Sequence, residues 1–222
     1  MDFLKLIQSL DELLYEIMSW LIFYPVTLWR ALTRPLKMMD YSDAEQGDAE
    51  DQQYTDTLSP PLFLLLSLIL VHAAELALIG NDAVLTSKVG LSALVSTNTD
   101  LIMLRIVSYS LFAVMMATRL LRARKVELTR ATLRAPFYSQ CYVVALLAIL
   151  FGASEVLIRL AHVWSLVAGL VLALLALLWF GLLQTAWFVQ HLKCSRWRAF
   201  GHASRAMVES IVAVLLLSNL FS

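Results

Sequence analysis

The chain has 222 residues, of which 60% are apolar and 15% charged, where ordinary globular chains carry roughly 45–50% and 25%. A soluble fold of this size has nowhere to hide that excess, so composition excludes a soluble globular domain and points to a bilayer. The 17 basic and 17 acidic residues cancel and give no sign of a nucleic-acid partner, and two cysteines exclude a disulfide framework.

Residues 1–38 begin with Phe3, Ile7, Leu10, Leu14, Ile17 and Leu21 at helical spacing, which makes one apolar face. The opposite face carries Asp2, Asp11, Glu12 and Glu16 against Lys5 alone. That sign is wrong for anionic lipid, so the face suits the basic loops of this chain or a protein partner. From Trp20 to Lys37 the residues turn aromatic and basic, the mixture found at headgroup level. Pro25 and Pro35 are expected to break this stretch into short pieces. The expectation is an amphipathic, interfacial helical element. The alternative, a sixth span over residues 13–29, is short and would bury Glu16. A cleaved signal peptide is not expected, because Asp11, Glu12 and Glu16 interrupt the apolar run.

Residues 39–59 carry seven acidic residues and no basic one between Asp40 and Thr57. Such a composition buries too little apolar surface to order itself, and a flexible acidic linker is expected. The functional alternative is an electrostatic flap lying on basic loops, sensitive to phosphorylation at Ser42, Thr55 or Thr57.

Residues 60–222 contain five apolar runs, at 61–79, 101–121, 137–158, 163–189 and 207–221. About 20 residues of helix cross the hydrocarbon core. The fold class expected is therefore all-α: a polytopic membrane protein with five transmembrane helices and an N-terminal amphipathic element. Two basic loops set its orientation. Arg122, Arg124, Lys125, Arg130 and Arg134 lie between spans two and three, and Lys193, Arg196, Arg198 and Arg205 between spans four and five. The alternate loops hold only Lys88 and Arg159. The N-terminus is thus expected on the cytoplasmic side and the C-terminus outside.

Ionisable residues inside spans are costly and are the first place to look for function. His72 and Glu75 are three positions apart, on one helix face. Glu75 sits about 21 Å along the helix from Pro61, in the outer part of the membrane. Arg105 falls just inside span two, and Glu155 near the end of span three with Arg159 four residues on. All reach a similar outer depth. One reading pairs Glu75 with Arg105 and Glu155 with Arg159 to hold the helices in register. The other makes His72, Glu75 and Glu155 a proton or cation site tuned by Arg105.

No phosphate-binding loop, nucleophile elbow or zincin helix occurs. His191, Cys194 and His202 lack a fourth ligand and sit among arginines, so no metal or other cofactor is expected. Cys141 reads as a small apolar packing residue, and Gly152, Gly169 and Gly181 as points of close helix approach.

The run Leu58-Ser59-Pro60-Pro61-Leu62-Phe63-Leu64-Leu65 before five close-spaced spans resembles the start of the membrane domain in bacterial relatives of the Yip-domain (Ypt-interacting protein) family. The resemblance implies a polytopic protein of the bacterial cytoplasmic membrane. The Asp-Leu-Tyr-Gly-Pro motif of eukaryotic members is absent, so their role with trafficking GTPases does not carry over, and no functional residue transfers. The function expected is a non-catalytic scaffold or accessory subunit. Its partners are the lipid bilayer and a protein, or a second copy, met through the N-terminal and transmembrane helices. The alternative is a small permease or ion pathway built on His72, Glu75, Arg105 and Glu155.

Overall fold

The computed structural model describes residues 2–49, 52–80, 98–160 and 162–220. Every regular element among them is a helix: α1 (Asp2–Thr33), α2 (Pro35–Glu45), α3 (Pro60–Ile79), α4 (Asn98–Arg124), α5 (Arg130–Arg159), α6 (Val163–Leu192) and α7 (Arg196–Leu220). The last five are long and apolar enough to cross a membrane. Lys88 and the rest of the connection 81–97 lie outside the described residues.

Helix α5 is the hub. Over its most apolar stretch 56% of the residues are buried, against a third or less in the other four spans. Gln140 to Ala148 form an unbroken buried run. A helix apolar all round belongs in an interior, and α2, α3, α4 and α6 all pack against this one. The remaining spans turn apolar faces outward: Leu170, Leu174 and Leu178 of α6 and Val208, Val212 and Leu215 of α7 are exposed. An apolar surface of that extent needs lipid to cover it.

Close approach to α5 depends on two glycines. A methyl group on Gly152 would lie 2.1 Å from Val71 Cγ1 on α3, and one on Gly169 of α6 would lie 2.9 Å from the Ser154 carbonyl oxygen. Ser154 Oγ donates to the Gly169 carbonyl at 2.9 Å, so the same approach satisfies a buried hydroxyl. Gly181 faces open space instead, contrary to the packing role expected of it.

The spans extend beyond the apolar runs. Arg122 and Arg124 lie on α4, Arg130 and Arg134 on α5, and Arg196, Arg198 and Arg205 on α7, so most of the expected loop residues are helical. Only short turns remain, around Lys125 (φ 56°) and Lys193 (φ 48°), both left-handed. The hydrophobic runs end where the hydrocarbon would end, but helical hydrogen bonding does not. Thr129 and Thr132 start α5 with a reciprocal capping box, six residues before Pro136. The fifth span begins at Arg196, far ahead of the expected residue 207.

Two expectations for the N-terminal region are corrected. Pro25 lies inside a continuous α1 and does not break it; only Pro35 starts a new helix. The proline ring is on the exposed face of α1, while Thr27 and Ala31 on the other face are fully buried against the bundle. That packing offsets the lost backbone bond, which costs about 3 kcal/mol. The second correction concerns the acidic linker at 39–59. Residues 39–45 belong to α2, with Met38, Met39 and Ser42 buried. Residues 54–58 are pinned side chain by side chain. The Leu58 N–H donates to Thr27 Oγ1 at 2.9 Å, and its carbonyl accepts from Tyr142 OH at 2.8 Å. Arg30 and Tyr41 both donate to Asp56, each at 2.7 Å. Gln46 Nε2 donates to Tyr54 OH at 2.8 Å. Tyrosine hydrogen bonds, together with the buried Met38, Met39 and Leu58, order this segment.

Two outcomes follow. Gly152→Leu should lower the thermal midpoint of the purified protein through overpacking worth about 1–3 kcal/mol, while Gly181→Leu should leave it unchanged; equal effects would contradict the packing described. Arg30 holds the Asp56 carboxyl below the usual carboxylate range. Because that value is lowered, the contribution is complete at neutral pH and is lost as pH falls through it. Both side chains are half-exposed, which limits the pair to about 1 kcal/mol. Asp56→Asn should therefore melt slightly earlier than wild type at neutral pH, and the difference should vanish in acid.

Candidate functional site

Three helices bring charge to one depth near the far ends of α3 and α5 and the start of α4. Glu75 lies four residues before the end of α3, Arg105 seven residues into α4, and Glu155 four residues before the end of α5. Alternating chain direction places these positions side by side. Arg105 Nη1 approaches Glu75 Oε2 at 2.7 Å, and Nη2 donates to Glu75 Oε1 and to Glu155 Oε2, each at 2.9 Å. Glu155 Oε1 is 3.7 Å from Arg159 on its own helix. The side chains of Glu75 and Arg105 are 5% and 13% exposed, whereas that of Glu155 is 46% exposed. A single guanidinium thus ties two carboxylates from two other helices, at the inner edge of a cluster that opens outward at Glu155.

The arrangement differs from two separate pairs, Glu75 with Arg105 and Glu155 with Arg159. Arg105 serves both carboxylates, and Arg159 makes the longer, secondary contact. His72 lies one helical turn before Glu75 and is 3% exposed, and both of its ring nitrogens are buried without a hydrogen-bond partner. Two carboxylates and two guanidiniums balance, so the cluster carries no net charge while His72 is neutral. A fork-shaped cation between carboxylates fixes orientation as well as charge. The arrangement holds no nucleophile paired to a base.

A second polar contact in the spans gave no charged signal in the sequence. Gln140 of α5 and Gln184 of α6, both fully buried, exchange amide hydrogen bonds: Gln140 Nε2 donates to Gln184 Oε1 at 3.0 Å, and Gln184 Nε2 donates to Gln140 Oε1 at 2.6 Å. Only the occurrence of glutamine in otherwise apolar runs could have revealed it.

The opposite end of the bundle carries the basic residues. Arg124 Nε and Nη2 donate to the His191 carbonyl at 3.2 and 3.0 Å, closing the end of α6. Arg119 Nε donates to His202 Nδ1 at 3.1 Å, linking α4 to α7. Arg205 pairs with Glu209 one turn on at 2.8 Å. Asp43 of α2 accepts from Ser139 and lies 3.3 Å from His191 Nε2. His191 and His202 therefore hold helices together rather than lying near Cys194 as a ligand set. Among the described residues no group of three or more His, Cys, Asp or Glu is placed to hold a metal. The acidic segment reaches this end through Asp43, which meets a histidine and a serine.

No family model, curated protein or solved structure matches this chain.

Arg105→Met should strand the buried Glu75 carboxylate and leave Glu155 only its longer contact with Arg159. Breaking a buried pair in this way costs about 3–5 kcal/mol. The folded fraction in mild detergent should collapse, and adding Glu75→Gln and Glu155→Gln should restore much of it. A triple variant no better folded than Arg105→Met would show that the charges are not the reason.

Proposed function

We propose that this protein is a non-catalytic scaffold or accessory subunit of a bacterial cytoplasmic membrane complex, with its N-terminus cytoplasmic and its C-terminus outside. The observation that carries this reading is the exposed apolar stretch of α1 from Leu10 to Ile22. Leu10, Leu14, Ile17 and Leu21 form a stripe down one face and are all exposed, as are Leu13, Met18 and Ile22 beside it. Among the described side chains of α1, the first to pack against the core are Trp20 and Phe23. A helix of this apolar content is stable only where lipid or another protein covers it. Asp11, Glu12 and Glu16 on its polar side are exposed and of the wrong sign for anionic lipid, which favours a protein partner or a second copy for that side. The closed charge balance around Arg105 supports the same reading, because a structural tie needs no further function. The proposed orientation rests on the basic residues, which gather at the end of the bundle where α4, α6 and α2 meet. Its topology is also that of the Yip-domain resemblance, which belongs to this proposal.

One observation favours a second reading, a small permease or proton pathway: His72, buried beside Glu75 with both ring nitrogens unpartnered. The two readings separate in one preparation. The scaffold reading expects a defined hetero-complex or dimer by native mass spectrometry of gently solubilised protein, dissociated by the double variant Leu14→Asp, Ile17→Asp. It also expects no proton flux in reconstituted vesicles. A monomer or ring that conducts protons, with conduction lost in Glu75→Gln at unchanged folded yield, would overturn it.

A further inference from the structure

Three cations without a counter-charge stand where α6 ends and α7 begins. Lys193, Arg196 and Arg198 are all exposed, and no hydrogen bond or ion pair engages them among the described residues. Arg205, one face round on α7, is by contrast already paired with Glu209. Trp197, between the two arginines, is 85% exposed. An exposed tryptophan beside basic side chains marks the level where hydrocarbon gives way to headgroups.

Inward of Arg196 an apolar groove of about 220 Å³ runs between α6 and α7. Its α7 wall is Phe200, Ala203, Ser204 and Met207, which lie four, seven, eight and eleven positions after Arg196 and so share its helix face. On α6 the groove is lined by Gly181, where a Cβ would meet nothing within 4 Å. Phe200 and Met207 are about 6 and 16 Å along α7 from its start at Arg196. One leaflet of hydrocarbon is about 15 Å deep, so the groove spans the acyl region of the leaflet at the basic end. Over roughly 10 Å of length, about 220 Å³ makes a channel only about 5 Å across, where a helix needs about 10–12 Å. An acyl chain fits it and a partner helix does not.

We propose that this groove and the cations at its mouth bind one phospholipid with a net negative headgroup. An acyl chain lies in the groove beside Gly181 and Phe200. The phosphate meets Arg196, whose planar fork suits it and whose side chain, like any on a helix, leans toward the N-terminal end, here the headgroup end. Lys193 and Arg198 add positive potential at the same depth. Charge complementarity sets the headgroup class: a zwitterionic lipid brings its own ammonium to a patch that already holds three cations, whereas an anionic lipid supplies the missing charge. The site is independent of the accessory role proposed above and requires only that the spans lie in a bilayer. It also accounts for Gly181, a glycine inside a span whose Cβ position nothing touches.

The test uses the whole purified protein, delipidated in detergent and offered phosphoglycerol, phosphocholine or phosphoethanolamine lipids with the same acyl chains. Native mass spectrometry reads the retained lipid and a melting curve reads stabilisation. The phosphoglycerol lipid should be retained at one per chain and raise the midpoint most. Gly181→Phe, which fills the groove, should block that retention while leaving the midpoint of the delipidated protein unchanged. Arg196→Gln should weaken retention about tenfold, the scale of one charge-assisted hydrogen bond, and narrow the preference over the phosphocholine lipid. Arg196 is exposed, so this variant decides the matter if Gly181→Phe does not fold. Equal retention of all three lipids, or phosphoglycerol retention unchanged in either variant, would overturn the proposal. So would glycerophosphoglycerol or inorganic phosphate matching the whole lipid, because the apolar groove would then contribute nothing. A dimer that is broken by Gly181→Phe and retains no phosphoglycerol lipid would overturn it as well, since a second copy would then cover the groove.

Discussion

A guanidinium inside a membrane must be neutralised where it stands, and in this protein that requirement organises one end of the fold. Arg105 satisfies it with two carboxylates from two other helices. Three of the five spans are thereby fixed at one depth and one rotation, because a side chain on the wrong face would leave a charge in hydrocarbon. Glu75 and Arg105 are the buried partners and Glu155 the exposed one. The cluster is thus a tie with its open side toward the surface, not a sealed chamber.

The other end is held differently. There the helices run on past the hydrocarbon, and their carbonyl ends and histidines are met by arginines: Arg124 on the end of α6 and Arg119 on His202 of α7. Asp43 reaches from α2 to Ser139 and His191 and so binds the N-terminal region to α5 and α6. Between the two ends the hub helix α5 is packed through glycines and a reciprocal glutamine pair. Polar contacts thus occur at three depths, and apolar packing fills the intervals. The proposed accessory role is compatible with such a frame because its shape is set internally, which leaves the exposed stretch of α1 from Leu10 to Ile22 available to something else.

How much of this was legible beforehand depends on the kind of signal. The five spans were readable because twenty apolar residues in a row have few other meanings. The residues of the cluster were readable because ionisable groups inside spans are rare; their pairing was not. Sequence distance favoured Glu155 with Arg159 at i+4, yet the closer partner of Glu155 lies fifty residues away. Residues 196–206 read as a loop because they are basic, though charge decides burial and not helicity. The acidic stretch misled for a related reason: counting carboxylates took no account of Met38, Met39, Tyr41 and Tyr54, which order it. Gln140 and Gln184 carried no charge to draw attention and were missed.

The bridge at Arg105 requires α3 and α5 to touch one turn away from it, at Val71 and Gly152. A Cβ at position 152 lies 3.4 Å from that of Val71, about the separation a disulfide spans. With Cys141 and Cys194 replaced by alanine, the pair Val71→Cys and Gly152→Cys should form an intramolecular disulfide on mild oxidation of protein in its native membrane. It should be detectable by mass spectrometry of linked peptides. Efficient cross-linking would place Glu75 and Glu155 within reach of one guanidinium. A folded variant that keeps both thiols free would mean that α3 and α5 are not in this register and that Arg105 does not bridge them.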